Sequence, residues 1–249
     1  MSRVEAAGLS KFYSLGGRQV EALRDVDFVL EDSSFVAVVG KSGCGKTTLL
    51  RILCGLEPVS GGTVRFFDNG RYETSPRVSI VFQEPRLMPW LTVEENLAFP
   101  LFKESDRGRV RENVGSYLNL LGLKDFKDAY PSQISGGMAQ RVVLGRTLCF
   151  DPDVILMDEP FGALDAFTRR NLQRELATIF LSQRKTILFV THDVDEAIFL
   201  GQRVLVLDQG RLVKDVPVNL PYPRDPLSRE CYALREQILS FFFGHDQNP

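Results

Sequence analysis

Residues 40–47 have the types and spacing of a loop that binds nucleotide phosphates. They match the pattern G-x-x-x-x-G-K-[ST]. In such a loop, glycines let several backbone N–H groups point at one phosphate, and the N-terminus of the following helix adds its positive end. Lys46 would reach the β- and γ-phosphates, and Thr47 would offer its hydroxyl to Mg²⁺. The predicted nucleotide contacts are Gly40, Lys41, Ser42, Gly43, Cys44, Gly45, Lys46, Thr47 and Thr48.

Two adjacent carboxylates form a second group that could do chemistry. Asp158 and Glu159 follow an apolar run at 154–157, which predicts that they lie at the C-terminal end of a strand. Ligands bind at that edge of open α/β sheets. Asp158 would hold the Mg²⁺ shell through water, because Mg²⁺ keeps several of its waters. Glu159 would polarise the water that attacks the γ-phosphate. An acidic pair at a strand end is weak evidence alone, and the phosphate-loop pattern strengthens it.

Short apolar runs alternate with helical patterns around these residues. Residues 48–54 predict a helix that starts in the phosphate loop and ends at Gly55. Another helical pattern at 172–180 places apolar residues on one face. Alternation of strands with helices predicts an α/β fold with a mainly parallel sheet. The apolar runs that predict its strands lie at 35–39, 78–82, 154–157, 186–190 and 204–207, of which the last is expected to be the final strand.

Two further parts are predicted to attach to this core. Residues 4–30 alternate apolar and charged side chains around a glycine turn, and 63–67 continue the pattern. These stretches predict an N-terminal antiparallel β-subdomain. Helical spacing before the acidic pair, together with a helix that begins at Ser135, predicts an inserted α-helical subdomain over residues 84–150.

The length and composition fit one domain spanning residues 1–249. The chain is 44% hydrophobic and 25% charged, which is ordinary for a globular protein. Residues 215–249 are rich in proline at first and end with a short helical patch at 234–243, so they are predicted to form a C-terminal extension. The net charge of −2 gives no indication of a nucleic-acid partner.

The N-terminal residues and the cysteines bear on the compartment. No apolar run reaches the roughly 18 residues that a membrane-spanning helix needs, and the start of the chain lacks the apolar core of a signal peptide. The sequence therefore predicts a cytoplasmic protein that meets a membrane only through a partner. The cysteines are widely spaced, without a metal-binding or disulfide pattern. Because Cys44 lies in the phosphate loop, its alkylation is expected to block nucleotide binding.

One further segment, Ser135-Gly136-Gly137-Met138-Ala139-Gln140-Arg141, resembles the signature motif of ATP-binding cassette (ABC) ATPases. The resemblance covers residues 4 to about 215 and implies a P-loop NTPase core. It also implies roles for four residues elsewhere in the chain. These are Tyr13 as the aromatic that stacks on adenine, Gln83 as the Q-loop residue with a catalytic role and a place beside the metal, Asp165 in the D-loop, and His192 as the switch histidine. Phe12 is adjacent to Tyr13, and which of the two rings stacks stays open.

The resemblance also implies how two copies would share ATP. Ser135, Gly136 and Gly137 cap a predicted helix, and a helix N-terminus attracts anions. A whole helical subdomain separates them from the phosphate loop of the same chain. In the family, two cassettes bind head to tail and each signature motif closes on the partner's nucleotide. The expected assembly is therefore a homodimer that holds two ATP molecules with Mg²⁺, with contacts from both subunits at each site.

The amino-acid sequences of two stretches narrow the resemblance to one group of importers. Residues 82–90 and 158–166 resemble the nitrate/sulfonate/taurine-type importers. In these, a pair of ATPase subunits at the cytoplasmic face of the membrane drives two transmembrane permease subunits, which a substrate-binding protein supplies. Met138 replaces the commonest Gln of the signature motif, as is typical of this group. Residues after Gln83 would contact the membrane subunit, although Trp90 could instead be a core residue.

Other interpretations of the same residues stay open. A soluble ABC ATPase that regulates another process through ATP-driven dimerisation would share every motif. A small-molecule kinase would share the phosphate loop but would leave the signature motif without a purpose. Taken singly, His192 could be structural and Gln83 could be a solvated strand end. In such systems the binding protein and the membrane subunits select the transported solute.

Overall fold

A computed structural model of the chain describes residues 2–68, 70–73 and 75–243. The described strands are Ser2–Leu15 (β1), Arg18–Leu30 (β2), Phe35–Val39 (β3), Gly61–Asp68 (β4), Arg71–Glu73 (β5), Val78–Val81 (β6), Val154–Asp158 (β7), Thr186–Thr191 (β8), Arg203–Asp208 (β9) and Arg211–Pro217 (β10). The described α-helices are Lys46–Leu53 (α1), Val93–Ala98 (α2), Arg107–Leu120 (α3), Gly136–Cys149 (α4), Ala166–Gln183 (α5), Val194–Leu200 (α6) and Arg229–Phe243 (α7).

The larger sheet positions the site, and the expected α/β fold is confirmed. Its strand order is β10-β9-β3-β8-β7-β6, and all neighbours are parallel except β10, which runs antiparallel to β9. Strands β3 and β8 are buried along their whole length, as expected for parallel strands covered on both faces. The C-terminal ends of β3, β7 and β8 therefore meet at one edge of the sheet.

The smaller sheet is the predicted antiparallel part, with strand order β2-β1-β4-β5. Strands β1 and β2 form a hairpin through Gly16 and Gly17, both at positive φ. The register between them shifts near Lys11, because Lys11 pairs with Leu23 while Phe12 pairs with Glu21. Ala22 is thus the extra residue of a bulge.

Helices α2, α3 and α4 lie between β6 and β7, where the sequence predicts a helical insert. Helix α2 begins with a capping box, in which the Thr92 hydroxyl accepts from the Glu95 N–H and the Glu95 carboxylate accepts from the Thr92 N–H. Apolar residues of the three helices join the same buried cluster as the sheet strands and α5. Tight helix packing is visible at Gly145, where a Cβ would lie 2.9 Å from Leu121 Cδ1.

One expectation about the strands was wrong, and the C-terminal helix is longer than the patch that the sequence predicts. Strand 204–207 is not the last, because β10 follows it. β10 was missed because charged and exposed residues interrupt its apolar pattern. Helix α7 starts at Arg229, ahead of the predicted patch, and it buries Ile238 and Phe242 in the main core. Strand β6 is only partly buried, since it forms an edge of the sheet.

The predicted extension 215–249 therefore begins inside β10, and residues 244–249 lie outside the described residues. Within the described part of the chain, no helix combines the length and apolar character needed to cross a bilayer.

Candidate nucleotide-binding and hydrolysis site

The phosphate loop (residues 40–47) connects β3 to α1, and its shape requires glycine. Gly43 and Gly45 have φ of 79° and 109°, a region that side chains disfavour. A Cβ at Gly45 would lie 2.4 Å from the carbonyl oxygen of Ala22, and one at Gly40 would lie 2.3 Å from that of Leu207. The loop is therefore held between the bulge of β2 and the end of β9, and larger residues could not occupy these two positions without moving backbone.

Lys46 has its ammonium inside this loop. The side chain is buried, and Nζ donates to the carbonyl oxygens of Gly40 at 2.8 Å and Lys41 at 3.1 Å. Its Nζ also lies 3.9 Å from Oε1 of Glu159. These contacts fix a positive charge at the rim of the loop, where it faces incoming phosphates.

An open cleft of about 200 Å³ adjoins the loop. Backbone N–H groups at the start of α1 and the Lys46 ammonium give it an anion-binding character. Most of the predicted contacts are brought together here. Its lining residues are Ala22, Ser42, Gly43, Gly45, Lys46, Thr47, Thr48 and Glu159.

Thr47 and Asp158 meet across the cleft floor. The Thr47 hydroxyl lies 3.4 Å from Oδ1 of Asp158, which ends β7. Burial, reinforced by the adjacent charge of Glu159, raises the pKa of Asp158, while the Thr47 hydroxyl opposes that shift. Two hard oxygens at this position suit a divalent cation that keeps its waters. No group of three or more His, Cys, Asp or Glu side chains among the described residues could bind a metal without other ligands.

Glu159 is held in an unusual backbone conformation. Its φ is 45°, in the left-handed region that costs a non-glycine residue about 1 kcal/mol or more. The strain is accommodated because its N–H donates to the carbonyl oxygen of Val190 on the neighbouring strand β8, at 2.9 Å. This turn aims the carboxylate at the next strand end, where Oε2 lies 2.8 Å from Nδ1 of His192.

The signature segment (residues 135–141) lies outside this cleft. Ser135 caps α4, and its Oγ accepts from the N–H of Met138 at 3.3 Å. Ser135 and Gly136 are exposed and line no part of the phosphate cleft. Gly137 packs closely on α5, because a Cβ there would lie 2.4 Å from Thr168 Cγ2. The segment is thus a largely exposed helix N-terminus that does not line its own chain's phosphate cleft.

Comparison with known proteins fits this geometry. The ABC transporter family model matches residues 23–162, which include the phosphate loop, the signature segment and the acidic pair. The chain belongs to the ABC transporter family. It is 43% identical to an "Aliphatic sulfonates import ATP-binding protein SsuB" of Bacillus cereus, over 96% of this chain and 95% of that protein. The corresponding protein of Bacillus subtilis is 41% identical over 91% of this chain and 89% of its own length.

A solved ABC cassette has the same fold. The dimeric structure of a post-hydrolysis state of the ATP-binding cassette MJ0796, bound to ADP and Pi, is 28% identical and superposes with a TM-score of 0.76. The match covers 88% of this chain and 100% of that one. The chain is thus an ABC ATPase, and ATP is its nucleotide.

Two predicted contacts of this ABC site have side chains that point elsewhere. Cys44 is buried in the core between the two sheets, and burial raises the pKa of its thiol. In this conformation it can offer a nucleotide only its backbone, and its burial predicts that alkylation of the native protein is slow. Lys41 donates from Nζ to the carbonyl oxygen of Phe242, at 3.2 Å. The C-terminal helix therefore reaches the phosphate loop.

The two candidate rings for adenine lie on opposite faces of β1. Tyr13 stands over Lys11, whose Nζ is 5.0 Å from the ring centroid. Strand alternation gives Tyr13 and Lys11 the same face as Leu23, and Leu23 Cδ2 is 2.8 Å from where a Cβ at Gly45 would be. Phe12 instead lines a neighbouring cleft with Gly43.

The remaining predicted residues flank the cleft. Gln83 is exposed and does not line it, and its Nε2 lies 2.9 Å from where a Cβ at Gly162 would be. Asp165 caps α5, accepting from the N–H groups of Phe167 and Thr168. Hydrogen bonding by the Thr168 side chain, followed by these backbone groups, lowers the pKa of Asp165. Gln83 thus lies beside the segment that follows Glu159, and Asp165 lies at the start of α5. Neither lines the phosphate cleft.

Sequence reasoning missed two buried polar residues near the site. Asn96 on α2 is fully buried and lies within 3.1 Å of the carbonyl oxygens of Met88, Leu91 and Thr92. It fixes the loop that carries Trp90, which is 70% exposed and is therefore not a core residue. Glu196 on α6 is also buried. The only sequence signal for either was a polar residue at a position where helical spacing predicts an apolar one.

Proposed function

We propose that this chain is the ATP-hydrolysing subunit of an ABC importer for a small organic anion of the aliphatic sulfonate class. The observation that carries the proposal is near full-length similarity to sulfonate import ATP-binding proteins, combined with an intact phosphate cleft. The solute itself would be selected by membrane and binding-protein partners, because the cleft described here suits only a nucleotide.

At the cleft, each residue has a role that its position supports. Lys46 would exchange its two carbonyl partners for β- and γ-phosphate oxygens when ATP enters. Glu159 would accept a proton from the water that attacks the γ-phosphate. His192, which contacts the Glu159 carboxylate, would orient that carboxylate and bind the γ-phosphate from the opposite side. Gln83 would close on the same water from the adjoining segment.

Mg²⁺ is proposed at Thr47 and Asp158. Their oxygens are 3.4 Å apart, and phosphate oxygens and water would complete the coordination that the protein leaves open. When bound there, the metal would neutralise charge on the β- and γ-phosphates. Tyr13 is proposed to stack on adenine, because it shares its strand face with a side chain packed on the phosphate loop.

The exposed signature segment supports a shared site. An anion-binding helix N-terminus that cannot serve its own phosphate loop can serve that of a second copy. We therefore propose a homodimer in which Ser135, Gly136 and Gly137 contact the partner's γ-phosphate, with Asp165 beside the dimer axis. ATP would favour this closed state and hydrolysis would release it, because the γ-phosphate supplies the contacts that differ between the two states.

Two transmembrane permease subunits are proposed to dock on the loop after Gln83. Trp90 in this loop and Phe102 in the helical insert are exposed aromatics, and exposed aromatics of this kind are enriched at interfaces. Asn96 makes the loop rigid before docking. The protein would then act at the cytoplasmic face of the membrane.

The oligomeric state of Glu159→Gln, with and without ATP–Mg²⁺, tests the mechanism by light scattering. The expected result is an ATP-dependent dimer that the additional change Lys46→Ala abolishes. The same variant should co-purify from native membranes with a polytopic membrane protein, and the reconstituted wild-type complex should take up an aliphatic sulfonate. An ATP-dependent dimer that never associates with membrane protein would support the regulatory ATPase instead. A monomer in every condition, membrane subunits included, would contradict the shared site.

A further inference from the structure

A buried carboxylate lies behind the catalytic edge of the sheet. Glu196, on α6, is 7% exposed. Its Oε2 accepts from the Thr191 hydroxyl at 2.7 Å, and its Oε1 accepts from Nε2 of Gln173 at 3.1 Å. Burial raises the pKa of this carboxyl, and the donors of Thr191 and Gln173 oppose that shift. A buried acid with a partner on each oxygen is a fixed point in the structure, because moving it would leave polar atoms unpaired.

A third contact connects Glu196 to the D-loop (residues 162–165). Nε of Arg169, on the first turns of α5, lies 3.8 Å from Oε1 of Glu196. That nitrogen is buried and makes no hydrogen bond within the described part of the chain, so the carboxylate supplies its charge compensation. The other end of the same guanidinium donates to the carbonyl oxygen of Leu164 at 3.0 Å. Leu164 directly precedes Asp165, the N-cap of α5.

The opposite side of Glu196 holds the switch loop (residues 191–193). Thr191 ends β8 and is fully buried. Its hydroxyl donates to Glu196 and accepts from the N–H of Asp193, at 3.0 Å. His192 lies between these two residues in the chain, and its ring contacts Glu159. A change at Glu196 would therefore reach His192 through one hydroxyl group.

We propose that Glu196 is a positioning residue for ATP hydrolysis, which holds the switch loop and the start of the D-loop in one fixed relation. Arg169 and Thr191 are the two links. Through them, a displacement of the D-loop by a second copy of the chain moves the His192 ring against Glu159. The cleft of one subunit thereby responds to closure of the other. This inference rests on the role proposed for His192.

A double-mutant cycle between Glu196→Ala and His192→Ala tests the proposal. Steady-state kcat and KM for ATP are measured for both single variants and the double variant, with thermal unfolding of each. Glu196→Ala should lower kcat by about 10- to 100-fold while KM for ATP changes little. On the His192→Ala background it should lower kcat by less than about twofold, because its effect passes through the ring.

A pair of matched variants keeps the test independent of folding defects. Thr191→Val removes the hydroxyl with little change in shape, and Thr191→Ser keeps it. Only Thr191→Val should reproduce the loss of kcat. Equal losses in both His192 backgrounds, or a wild-type kcat for folded Thr191→Val, would overturn the positioning role alone. Wild-type kcat for His192→Ala would overturn the proposed role of that residue, and the inference with it.

Discussion

Nδ1 of His192 lies 2.8 Å from the carboxylate of Glu159, although 33 residues separate them in the chain. Their strands β7 and β8 are parallel neighbours, and Asp158 pairs with Val190. Glu159 and His192 each directly follow their strand, so the register of the strands brings the two side chains together. The left-handed turn at Glu159 completes the approach.

Substitution of His192 by alanine should reduce ATP turnover without loss of fold. The ring is 63% exposed, so its removal leaves no cavity, but Glu159 loses the partner that contacts its Oε2 at 2.8 Å. We expect kcat to fall about 10²-fold, the usual cost of one group that stabilises the transition state. Phosphate release and thermal unfolding measure the two effects. Activity within twofold of wild type would contradict the assignment.

The Asp158 carboxylate should destabilise the nucleotide-free protein at neutral pH. Because its pKa is raised above the ordinary value of 3.8, the folded state binds more protons than the unfolded state between the two pKa values. Stability therefore falls as pH rises through that window. Asp158→Asn, which lacks the charge, should melt at a higher temperature than wild type at pH 7.

The gain from Asp158→Asn should shrink as the pH is lowered through the raised pKa, because both proteins are then neutral at this position. Calorimetry at pH 7 and at the lowest pH where the protein stays folded gives the comparison. The same variant should lose ATPase activity. A lower melting temperature than wild type at pH 7 would show that hydrogen bonding, and not burial, governs this site.

The two rings of β1 can be separated by binding measurements. Tyr13→Ala should raise KM for ATP by roughly tenfold, since aromatic stacking on a base contributes about 1–3 kcal/mol. Tyr13→Phe should restore the wild-type value. Phe12→Ala is the matched control, one residue away on the other face, and should leave KM within twofold. If Phe12→Ala alone raises KM, adenine lies in the cleft that Phe12 shares with Gly43.

Gly137 should tolerate no side chain while Thr168 is present. An added Cβ would lie 2.4 Å from Thr168 Cγ2, and overpacking of this kind costs about 1–3 kcal/mol. Urea denaturation of Gly137→Ala should show that loss. The double variant Gly137→Ala with Thr168→Ser, which removes the clashing methyl group, should recover most of it. Failure of the second change to help would place the defect elsewhere.

The Cys44 thiol should react slowly in the native protein. It is 6% exposed, and burial raises its pKa, so little thiolate is available to an alkylating reagent. A variant that keeps only Cys44 should label mainly after urea is added. A variant that keeps only Cys54, which is half-buried, should label faster in buffer. Rapid native labelling of Cys44 with loss of ATP binding would contradict this prediction and support the expectation that alkylation blocks nucleotide binding.

Apolar runs and glycine spacing were sufficient to predict the strands that carry the site. The run at 35–39 and the pattern after it could form only a buried strand that leads to a phosphate loop. Strand β10 could not be predicted in this way, because most of its residues are exposed and charged residues interrupt its apolar ones. Its antiparallel pairing with β9 defines it. Its pairing depends on a neighbour, and a local pattern does not show it.

Buried polar residues were the other limit. The polar side chains of Asn96 and Glu196 stand where helical spacing predicts apolar ones, but only the folded chain brings carbonyl, hydroxyl and guanidinium groups to them. The direction of the Cys44 side chain is a feature of the same kind, because it depends on the folded core. The pattern of the phosphate loop fixes its backbone, whereas the core cluster behind it determines where the thiol points.

Strand β3 has as its neighbours β8 and β9, which begin at Thr186 and Arg203. The phosphate loop therefore follows a strand whose partners lie far along the chain in sequence. The glycine-rich segment cannot take its place in the sheet before these later strands are present. Contacts between such distant segments also slow folding. The nucleotide cleft is thus expected to form late in folding, after the distant strands β8 and β9 have paired with β3.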